Sequence, residues 1–418
     1  MGRELINKIN QCRSCGDKGI HKFFDMGAQP FANALLADPE NAERRYPLEL
    51  SWCENCRLVQ LNHTADPKEL FSNYVWVTGT SSTAQTHANM FCEETLLRAQ
   101  SFDNGSYVLE LASNDGTFLK PFMAKGVKVL GVDPAENVVQ MARREGVRTH
   151  CGFFGDDLAN ELLKEHGPAR VVIARNVLPH VANLSDFVRG MRSVMADDGL
   201  AVIEAHYGAI IQRQLHYDSI YHEHLCYFTL ESISTLLHNH DLEIFDISKS
   251  PISGGSLIIF ARKAGRQASM AVERLLTHEA EAGVNELGSW ENFSADSQAH
   301  KKLTMNILEN QLDSGARIIG YGASARSSTL LNFCGIGAQH LSVIADQNLM
   351  KQKLYTAGSH IPISSPEEVM KTNPDTVFIL AWNFLQEIKG ILSDRFGFGG
   401  RLIVPFPGNP SVISGKGK

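Results

Sequence analysis

The stretch 106–116, SYVLELASNDG, carries a short apolar run into an acidic loop that ends in glycine. This pattern predicts a β-strand that leads through the loop into a first helix, TFLKPFMAKG (117–126), which Gly126 closes. A second strand, KVLGVDP (128–134), and a second helix, ENVVQMARREG (136–146), follow. Strands that alternate with helices indicate a parallel sheet with helices on both faces. The sequence therefore predicts a doubly wound α/β domain.

The same alternation continues outward from this stretch. Further predicted elements are the strand ARVVIARNVLPH (169–180), the helix LSDFVRGMRSVMADDG (184–199), and the strands GLAVIEAH (199–206) and SLIIFARK (256–263). A polar helical stretch comes next, and ARIIGYGASARSSTLLNF (316–333) then opens a second strand–glycine loop–helix unit. We therefore predict four segments: an N-terminal module (1–65), the central domain (70–265), a helical bridge (266–314) and a C-terminal Rossmann-like α/β domain (315–418).

Four of the eight cysteines stand in two C-x-x-C pairs near the N-terminus, Cys12/Cys15 and Cys53/Cys56. Each pair spans one tight turn, and four thiolates can close a tetrahedron around zinc at Zn–S distances of roughly 2.3 Å. Two disulfides or scattered core cysteines are the alternatives, and paired spacings of this kind favour zinc. Because protein ligands fill all four positions, we expect a structural zinc site in a zinc-ribbon-like module.

Composition limits the class of protein and its partners. The chain has 418 residues, 43% of them apolar, and a net charge of −7. The acidic balance argues against a nucleic-acid partner, which usually demands a basic face. The first residues lack the apolar core of a signal peptide, and no stretch reaches the ~18 apolar residues of a membrane span. Zinc-type cysteines beside isolated free ones favour a reducing, cytoplasmic location without a membrane partner.

The acidic loop lies where ligands bind in doubly wound folds. It does not match the dinucleotide fingerprint, because Ala112 and Asn114 stand where glycines are expected and Glu110 would repel a pyrophosphate. Asp133, about 20 residues on, is placed at a strand tip to accept bonds from ribose hydroxyls. S-Adenosylmethionine has a sulfonium, an amino group and a ribose but no phosphate, so it fits better than NAD. The alternative is that Asp115 only caps the helix and Asp133 only ends the strand.

The segment 221–229, YHEHLCYFT, is the densest in titratable groups, with Tyr221, His222, Glu223 and His224 in succession. One interpretation is a metal site formed by the imidazoles and the carboxylate. The other is acid–base chemistry, in which a carboxylate orients a histidine and a phenol donates to a developing oxyanion. The HEH order differs from the H-E-x-x-H metalloprotease pattern. A surface loop with chance histidines is the remaining alternative, and acid–base chemistry is favoured.

Together these motifs resemble those of the S-adenosylmethionine-dependent sugar C-methyltransferases that act on nucleotide-activated keto-deoxysugars. The matching segments follow the family's order: the two cysteine pairs, ELASNDG, ARNVLPHV, YHEHLCYFT and GYGASARSSTLLNF. The resemblance implies a zinc-bearing module, a central methyl-donor domain and a C-terminal domain that helps to hold the nucleotide-sugar substrate. It also implies the reaction: a base removes the C3 proton beside a C4 carbonyl, and the enolate attacks the methyl carbon of the sulfonium.

The resemblance also assigns site residues. It implies His224 as the base, Glu223 as its orienting group or alternative base, and Tyr221 as donor to the enolate oxygen. His180 is expected to reach the same pocket, and Tyr74 to belong to an aromatic lid. Further implied residues are Thr78, Gly79 and Thr80 in the lid loop, and, at the methyl donor, Glu110, Ala112, Ser113, Asn114, Asp115, Asp133 and Asn176.

The second glycine loop, GYGA (320–323), precedes a helix that carries Arg326. Its backbone amides, with Arg326 as a charge partner, can cradle a diphosphate, and Asp346 at the next strand tip invites an NAD interpretation. The resemblance favours a scaffold or a sugar-nucleotide contact, and a plain strand–turn–helix connection is the alternative. Two other functions stay open: an O- or N-methyltransferase acting on another acceptor, and an NAD-linked oxidoreductase.

Overall fold

The computed structural model describes residues 6–72, 77–99, 102–103, 105–250, 254–263 and 267–415. The strands in these ranges form one seven-stranded, one six-stranded, one four-stranded and one two-stranded sheet. The predicted α/β class, with an N-terminal cysteine module and a C-terminal parallel-sheet domain, is confirmed. No helix in the described part of the chain has the length and apolar character that crossing a bilayer requires.

The N-terminal module consists of short strands and one helical turn. Its elements are β1 (Ile6–Lys8), β2 (Ile20–Gln29), β3 (Tyr46–Cys53), β4 (Val59–Leu61), β5 (His63–Ala65) and α1 (Pro67–Phe71). Strands β2, β3 and β4 pair antiparallel, and β1 pairs with β5. Phe24, Leu48 and Leu50 point to one buried side of the sheet, as alternating apolar residues in an antiparallel sheet do.

The central domain is a twisted sheet with helices packed around it. Its elements are α2 (Ser82–Ala99), β6 (Tyr107–Leu111), α3 (Lys120–Ala124), β7 (Lys128–Asp133), α4 (Glu136–Arg144), β8 (Thr149–Cys151), α5 (Asp156–His166), β9 (Ala169–Arg175), α6 (Leu184–Val194), β10 (Met195–His206), α7 (Gly208–Arg213), β11 (Cys226–Tyr227), α8 (Leu230–His238), β12 (Leu242–Ser250) and β13 (Ser256–Lys263). The strand order is β12-β13-β10-β9-β6-β7-β8, and only β13 runs antiparallel to its neighbours. The order reverses between β6 and β9, so the crevice at their carboxyl ends is the expected ligand position.

One element differs from the sequence-based expectation, and another was not predicted. The helix predicted over 184–199 ends at Val194, because Met195 is buried and pairs with Ala169 as the first residue of β10. The residues after YHEH contribute β11, which pairs with β4 of the N-terminal sheet and not with the central sheet. A two-residue strand has no alternation that a sequence pattern can reveal.

The predicted helical bridge is two helices, α9 (Met270–Glu281) and α10 (Leu287–Asp313). The chain turns between them at Gly283, whose φ of 62° lies in the left-handed region. Phe293 of α10 packs edge-on against Phe24 of the N-terminal module, with ring centroids 5.8 Å apart. The bridge therefore also supports the N-terminal sheet.

The C-terminal domain is a second wound sheet. Its elements are β14 (Ile318–Tyr321), α11 (Ala325–Cys334), β15 (Ile344–Ala345), β16 (Ile363–Ser364), α12 (Pro366–Met370), β17 (Thr376–Ile379), α13 (Leu385–Gly390), β18 (Arg401–Val404) and β19 (Ser411–Ser414). The order β16-β15-β14-β17-β18-β19 matches the 3-2-1-4-5-6 order of dinucleotide-binding folds. Only β19, at the edge, runs antiparallel to its neighbour.

Candidate active site and zinc centre

Four cysteine thiols meet beside the N-terminal sheet. The sulfur atoms of Cys12, Cys15, Cys53 and Cys56 all lie within 4.8 Å of one another, with Sγ–Sγ distances of 3.4 Å for Cys12/Cys56 and 3.6 Å for Cys15/Cys53. A disulfide needs about 2.05 Å, whereas a zinc tetrahedron with Zn–S bonds of roughly 2.3 Å has edges of about 3.8 Å. The predicted ligand set therefore fits a structural zinc ion.

The two C-x-x-C turns share one backbone geometry. The amide of Gly16 donates to the carbonyl of Cys12 at 3.0 Å, and the amide of Arg57 donates to the carbonyl of Cys53 at 3.0 Å. Gly16 and Arg57 both have a positive φ, 74° and 61°. Each turn thus orients its thiols by local hydrogen bonds, which explains how a small module presents a metal site with little core.

The first of these turns is tied to the YHEH segment through strand β4. The amide of Arg13 donates to Oε1 of Gln60 at 2.8 Å, and its Nη2 donates to the carbonyl of Leu61 at 3.1 Å. The amide of Leu61 donates to the carbonyl of Leu225 at 2.9 Å, and Gln60 pairs with Cys226. The zinc module and the predicted acid–base segment therefore share one sheet.

The carboxyl ends of β6 and β7 form the candidate methyl-donor site. Oδ2 of Asp133 accepts from the amide of Asn114 at 2.9 Å, and Oδ1 accepts from the amide of Ala135 at 2.9 Å. Ala112 and Asn114 adopt positive φ, 57° and 52°, a conformation in which glycine is the usual residue. The loop thus makes a tight turn without matching the glycine fingerprint.

Glu110, at the end of β6, belongs to a buried ion network that sequence reasoning missed. Burial raises the pKa of Glu110 to about 8, although Nη1 of Arg175 lies 3.8 Å from its Oε1. Arg175 also donates to Glu204 at 2.7 Å, and His87 contacts Glu204 at 2.9 Å. Burial alone would raise the pKa of Glu204, but Arg175 and His87 lower it to about 2. Oε2 of Glu110 and Oγ of Ser113 have no hydrogen-bond partner among the described residues, so a polar, cationic ligand suits this edge.

Residues 78 and 79 of the predicted lid loop lie against the acidic loop that follows β6. The amide of Thr78 donates to Oδ1 of Asn114 at 3.0 Å, and the amide of Gly79 donates to Oδ2 of Asp115 at 2.9 Å. Oδ1 of Asp115 accepts from the hydroxyl of Thr117 at 2.7 Å. A side chain at Gly79 would collide with Asp115 and Thr117, so the loop can approach this closely only with glycine there.

The loop after β9 links the donor site to the histidines. Asn176 has a φ of 49°, and its backbone amide donates to the carbonyl of Glu204 at 2.7 Å. Nδ1 of His180 donates to the backbone carbonyl of Glu223 at 2.7 Å, and the His180 and His224 rings lie 4.8 Å apart. Burial lowers the pKa of His180 to about 4, so this ring is neutral at pH 7. The structure therefore brings His180, Glu223 and His224 together beside the loop that follows β9.

His224 is held in one tautomer. Its Nδ1 lies 2.8 Å from the carbonyl oxygen of Ser219, which can only accept, so Nδ1 carries the hydrogen. Its Nε2 lies 2.8 Å from the Tyr221 hydroxyl, which donates to it while the ring is neutral. Burial lowers the pKa of His224 well below its usual range, so the neutral form prevails at pH 7. The Tyr221 proton thus points at His224 while the ring is neutral.

Glu223 has a partner from the N-terminal module. Nδ2 of Asn33 donates to its Oε1 at 2.6 Å, a contact that no sequence spacing indicated. Burial raises the pKa of Glu223 to about 7, although the Asn33 bond acts in the opposite direction. Glu223 and His180 line a small hollow together with Phe71. Tyr74, the predicted lid residue, lies outside the described residues.

His222 packs apart from the acid–base groups, and the YHEH segment does not form a metal site among the described residues. Nε2 of His222 lies 3.3 Å from the carbonyl of Tyr46, and its ring packs edge-on against Phe31 at 5.3 Å. These contacts are those of a packing residue. Among the residues that the structure describes, the cysteine tetrad is the one group of three or more His, Cys, Asp or Glu side chains that converges closely enough for a metal ion.

Backbone amides of the second glycine loop and of the helix start after it donate hydrogen bonds to side chains of the C-terminal domain. The amide of Ala323 donates to Oδ2 of Asp346 at 2.7 Å. Ser324 and Ser327 cap each other, with the amide of Ser324 donating to Oγ of Ser327 at 2.6 Å and the reverse bond at 3.2 Å. Three amides that a diphosphate would use are therefore engaged, and the scaffold interpretation is favoured.

The chain is similar to known proteins along nearly its whole length. Residues 251–407 match the family described as “C-methyltransferase C-terminal domain”, residues 12–71 match “Putative zinc binding domain”, and residues 84–247 match “Methyltransferase domain”. The C-methyltransferase NovU of Streptomyces niveus is 32% identical over 418 residues, which cover 99% of both chains. A ubiquinone biosynthesis O-methyltransferase of Rhodopseudomonas palustris is 24% identical over 102 residues, 24% of this chain and 39% of that one.

Solved structures give more distant likenesses. The CcbJ methyltransferase from Streptomyces caelestis superposes with a TM-score of 0.35 at 16% identity, over 46% of this chain and 94% of that one. The magnesium protoporphyrin IX methyltransferase of Synechocystis PCC 6803, with bound S-adenosylmethionine, gives a TM-score of 0.32 at 15% identity, over 44% of this chain and 80% of that one.

Proposed function

The chain belongs to the C-methyltransferase family, and we propose that it transfers the methyl group of S-adenosylmethionine to C3 of a nucleotide-linked 4-keto-deoxysugar. A carbon atom becomes nucleophilic enough for this reaction when a neighbouring carbonyl stabilises its carbanion as an enolate, which a C4 ketone does for C3. The observation that carries the proposal is the cluster of His180, Tyr221, Glu223 and His224, acid–base groups gathered beside the carboxyl end of β9.

S-Adenosylmethionine, when bound, supplies an electrophilic methyl carbon on a positively charged sulfur. The residues proposed to hold it lie at the ends of β6, β7 and β9: Glu110, Ala112, Ser113, Asn114, Asp115, Asp133 and Asn176. Asp133 would accept bonds from the ribose hydroxyls through lone pairs that the amides of Asn114 and Ala135 leave open. Glu110 would lie near the cationic end of the ligand. The positive charge of the ligand would in turn stabilise the ionised form of Glu110.

His224 is proposed as the base, acting through Tyr221. Because Nε2 already accepts the phenolic O–H, the C3 proton passes to the Tyr221 oxygen while the phenolic proton moves to Nε2. The Nδ1–H bond to Ser219 then stabilises the imidazolium. The electron pair of the broken C–H bond forms the enolate, whose carbon attacks the methyl carbon as the C–S bond breaks toward sulfur. Glu223 is the alternative base, since a pKa of about 7 leaves it partly ionised at neutral pH.

Product analysis tests the reaction. Incubation with [methyl-13C]S-adenosylmethionine and a nucleotide-linked 4-keto-6-deoxyhexose is expected to add one methyl group, with carbon NMR placing it on C3. In deuterated water without the donor, the C3 hydrogen is expected to exchange. A methyl group on oxygen or nitrogen would establish the O- or N-methyltransferase alternative. A methyl group on C5 would agree with an enolate intermediate but would show that C5, and not C3, is the reacting carbon. The NAD-linked alternative gains no support from the C-terminal loop, whose amides are engaged.

The proposed donor site predicts a selective loss of affinity. Replacing Asp133 by Ala is expected to weaken S-adenosylmethionine binding about ten- to a hundredfold in calorimetry, because charge-assisted bonds to the ribose are lost. Asp346 offers a matched control, since it makes the same type of backbone bonds in the other wound domain, to the amides of Ala323 at 2.7 Å and Asn348 at 2.8 Å. Asp346→Ala should leave the affinity unchanged. Equal weakening in both variants would mean a general loss of structure.

A further inference from the structure

Residues 217–220, which lead into YHEH, are held from the bridge and the C-terminal domain. The Tyr217 hydroxyl donates to Nδ1 of His300 at 2.8 Å, since Nε2 of His300 donates to a backbone carbonyl. Oγ1 of Thr329 in α11 donates to the carbonyl of Ile220 at 2.9 Å. The orientation of this segment therefore depends on residues that lie far from it in sequence.

An ion pair makes the central contact of this group. Nε and Nη2 of Arg326 donate to Oδ2 and Oδ1 of Asp218 at 3.0 and 2.8 Å, and Nε1 of Trp382 donates to Oδ2 at 2.8 Å. Asp218 is 1% exposed, so the Arg326 charge is what makes its ionised form tolerable there. A two-pronged guanidinium–carboxylate pair sets orientation as well as distance, which a lysine ammonium does not reproduce.

Asp218 is followed directly by Ser219, whose carbonyl accepts the Nδ1–H of His224 at 2.8 Å. We propose that Arg326 is a positioning residue that, through Asp218, holds the Ser219 carbonyl against His224 and so keeps Nε2 facing the Tyr221 hydroxyl. The inference rests on the proposed role of His224. It gives the C-terminal Rossmann-like domain a task other than nucleotide binding: it sets the tautomer and orientation of the base in the neighbouring domain.

The same arrangement disfavours Arg326 as a phosphate ligand. A phosphate group would have to draw the guanidinium away from Asp218 and leave a buried carboxylate without its counter-charge. The loop amides that would assist such binding are occupied by Asp346 and by the Ser324/Ser327 pair. Both observations indicate that Arg326 acts on Asp218 of the neighbouring domain and not on a phosphate group.

Nitrogen-15 NMR of the histidine-labelled full chain tests the inference without an acceptor. The His224 ring signals are identified by their loss in His224→Asn. We expect the Nδ1–H tautomer in the wild type, a mixture of tautomers in Arg326→Met and an intermediate state in Arg326→Lys. Glu43→Ala is the matched control, because Glu43 also bridges to the C-terminal domain, accepting from the amide of Gly358 at 2.8 Å, but does not touch residues 217–224. It should leave His224 unchanged.

Steady-state kinetics give the second readout. Arg326→Met is expected to lower kcat about 10²-fold while the KM of the acceptor hardly changes, as for a misplaced catalytic group. An unchanged His224 tautomer in folded Arg326→Met would overturn the inference, and a raised acceptor KM with unchanged kcat would assign Arg326 to the substrate instead. If that variant does not fold, Asp218→Asn, which keeps the side-chain shape, is measured in the same way. Because the NMR result needs no acceptor, failure of the proposed reaction and failure of the positioning role are distinguishable.

Discussion

His224→Asn is expected to lower the exchange of the acceptor's C3 hydrogen with solvent by a factor of about 10²–10⁴, the usual contribution of a general base. The asparagine amide can still donate to the Ser219 carbonyl in place of Nδ1, but its carbonyl oxygen is not basic enough to take a proton as Nε2 does. The Tyr221 phenol then has no group to receive its proton. Exchange measured by proton NMR in deuterated water, without the methyl donor, isolates this step from methyl transfer.

One further variant tests whether the proton passes through the phenol. Tyr221→Phe should reduce exchange as His224→Asn does, because the proposed proton path runs through the phenolic oxygen. Both variants should bind S-adenosylmethionine as the wild type does, since His224 and Tyr221 bond to each other and are not among the residues proposed to hold the donor. Undiminished exchange in His224→Asn would remove His224 from the role of base.

The pH dependence of the same exchange distinguishes His224 from Glu223. Burial lowers the pKa of His224 well below 6.5, so the ring is a neutral acceptor above that pH and exchange through it should be flat from there upward. Burial raises the pKa of Glu223 to about 7, so a carboxylate base would be protonated below pH 7. Exchange would then rise about tenfold per pH unit up to that value and level off above it. A rising limb near pH 7 that disappears in Glu223→Gln would transfer the role to Glu223.

Local features of the chain were predictable because a few adjacent residues determine them. The cysteine spacing indicated the metal ligands because each C-x-x-C turn closes its own hydrogen bonds, as at Gly16 and Arg57. The conformation of the acidic loop was predictable for the same reason, since a strand end, a turn and a helix start are contiguous in ELASNDG. Asp133 could be placed because a strand tip follows from a short apolar run.

Contacts between distant segments could not be predicted in this way. Asn33 and Glu223 are 190 positions apart, and Arg326 and Asp218 are 108 positions apart, so no periodicity connects either pair. Arg326 was therefore interpreted from its own helix, where it resembles a phosphate ligand, although the partner that engages it lies in another domain. Strand β11 escaped prediction because two residues carry no pattern, yet its pairing joins the zinc module to the acid–base segment.

Because of that pairing, we expect catalysis to depend on the zinc ion even though the ion does not touch the acid–base groups. Strand β4 lies between the second cysteine pair and β11, and the same module supplies Asn33 to Glu223. Zinc binding contributes about 10–16 kcal/mol to the folding of small structural sites, so we expect the module to lose its ordered sheet without the ion. One face of the central sheet packs a core in which Val108, Val171 and Ile173 are fully buried and to which no described residue of the module contributes. We therefore expect this sheet to stay folded without the zinc ion.

Replacing Cys53 and Cys56 by Ala is therefore expected to remove one zinc ion per chain, measured by elemental analysis, and to lower methyl transfer at least about 10²-fold, as for a displaced catalytic group. S-Adenosylmethionine binding should remain close to that of the wild type, while amide hydrogen exchange should increase at β4 and β11. Cys92→Ala, at a buried free cysteine outside the tetrad, is the control and should retain both zinc and activity. If the zinc-free double variant still transferred methyl groups, the YHEH segment would have to keep its geometry without β4. If it lost donor binding as well, the two sheets would form one cooperative unit and the zinc module would support the whole enzyme.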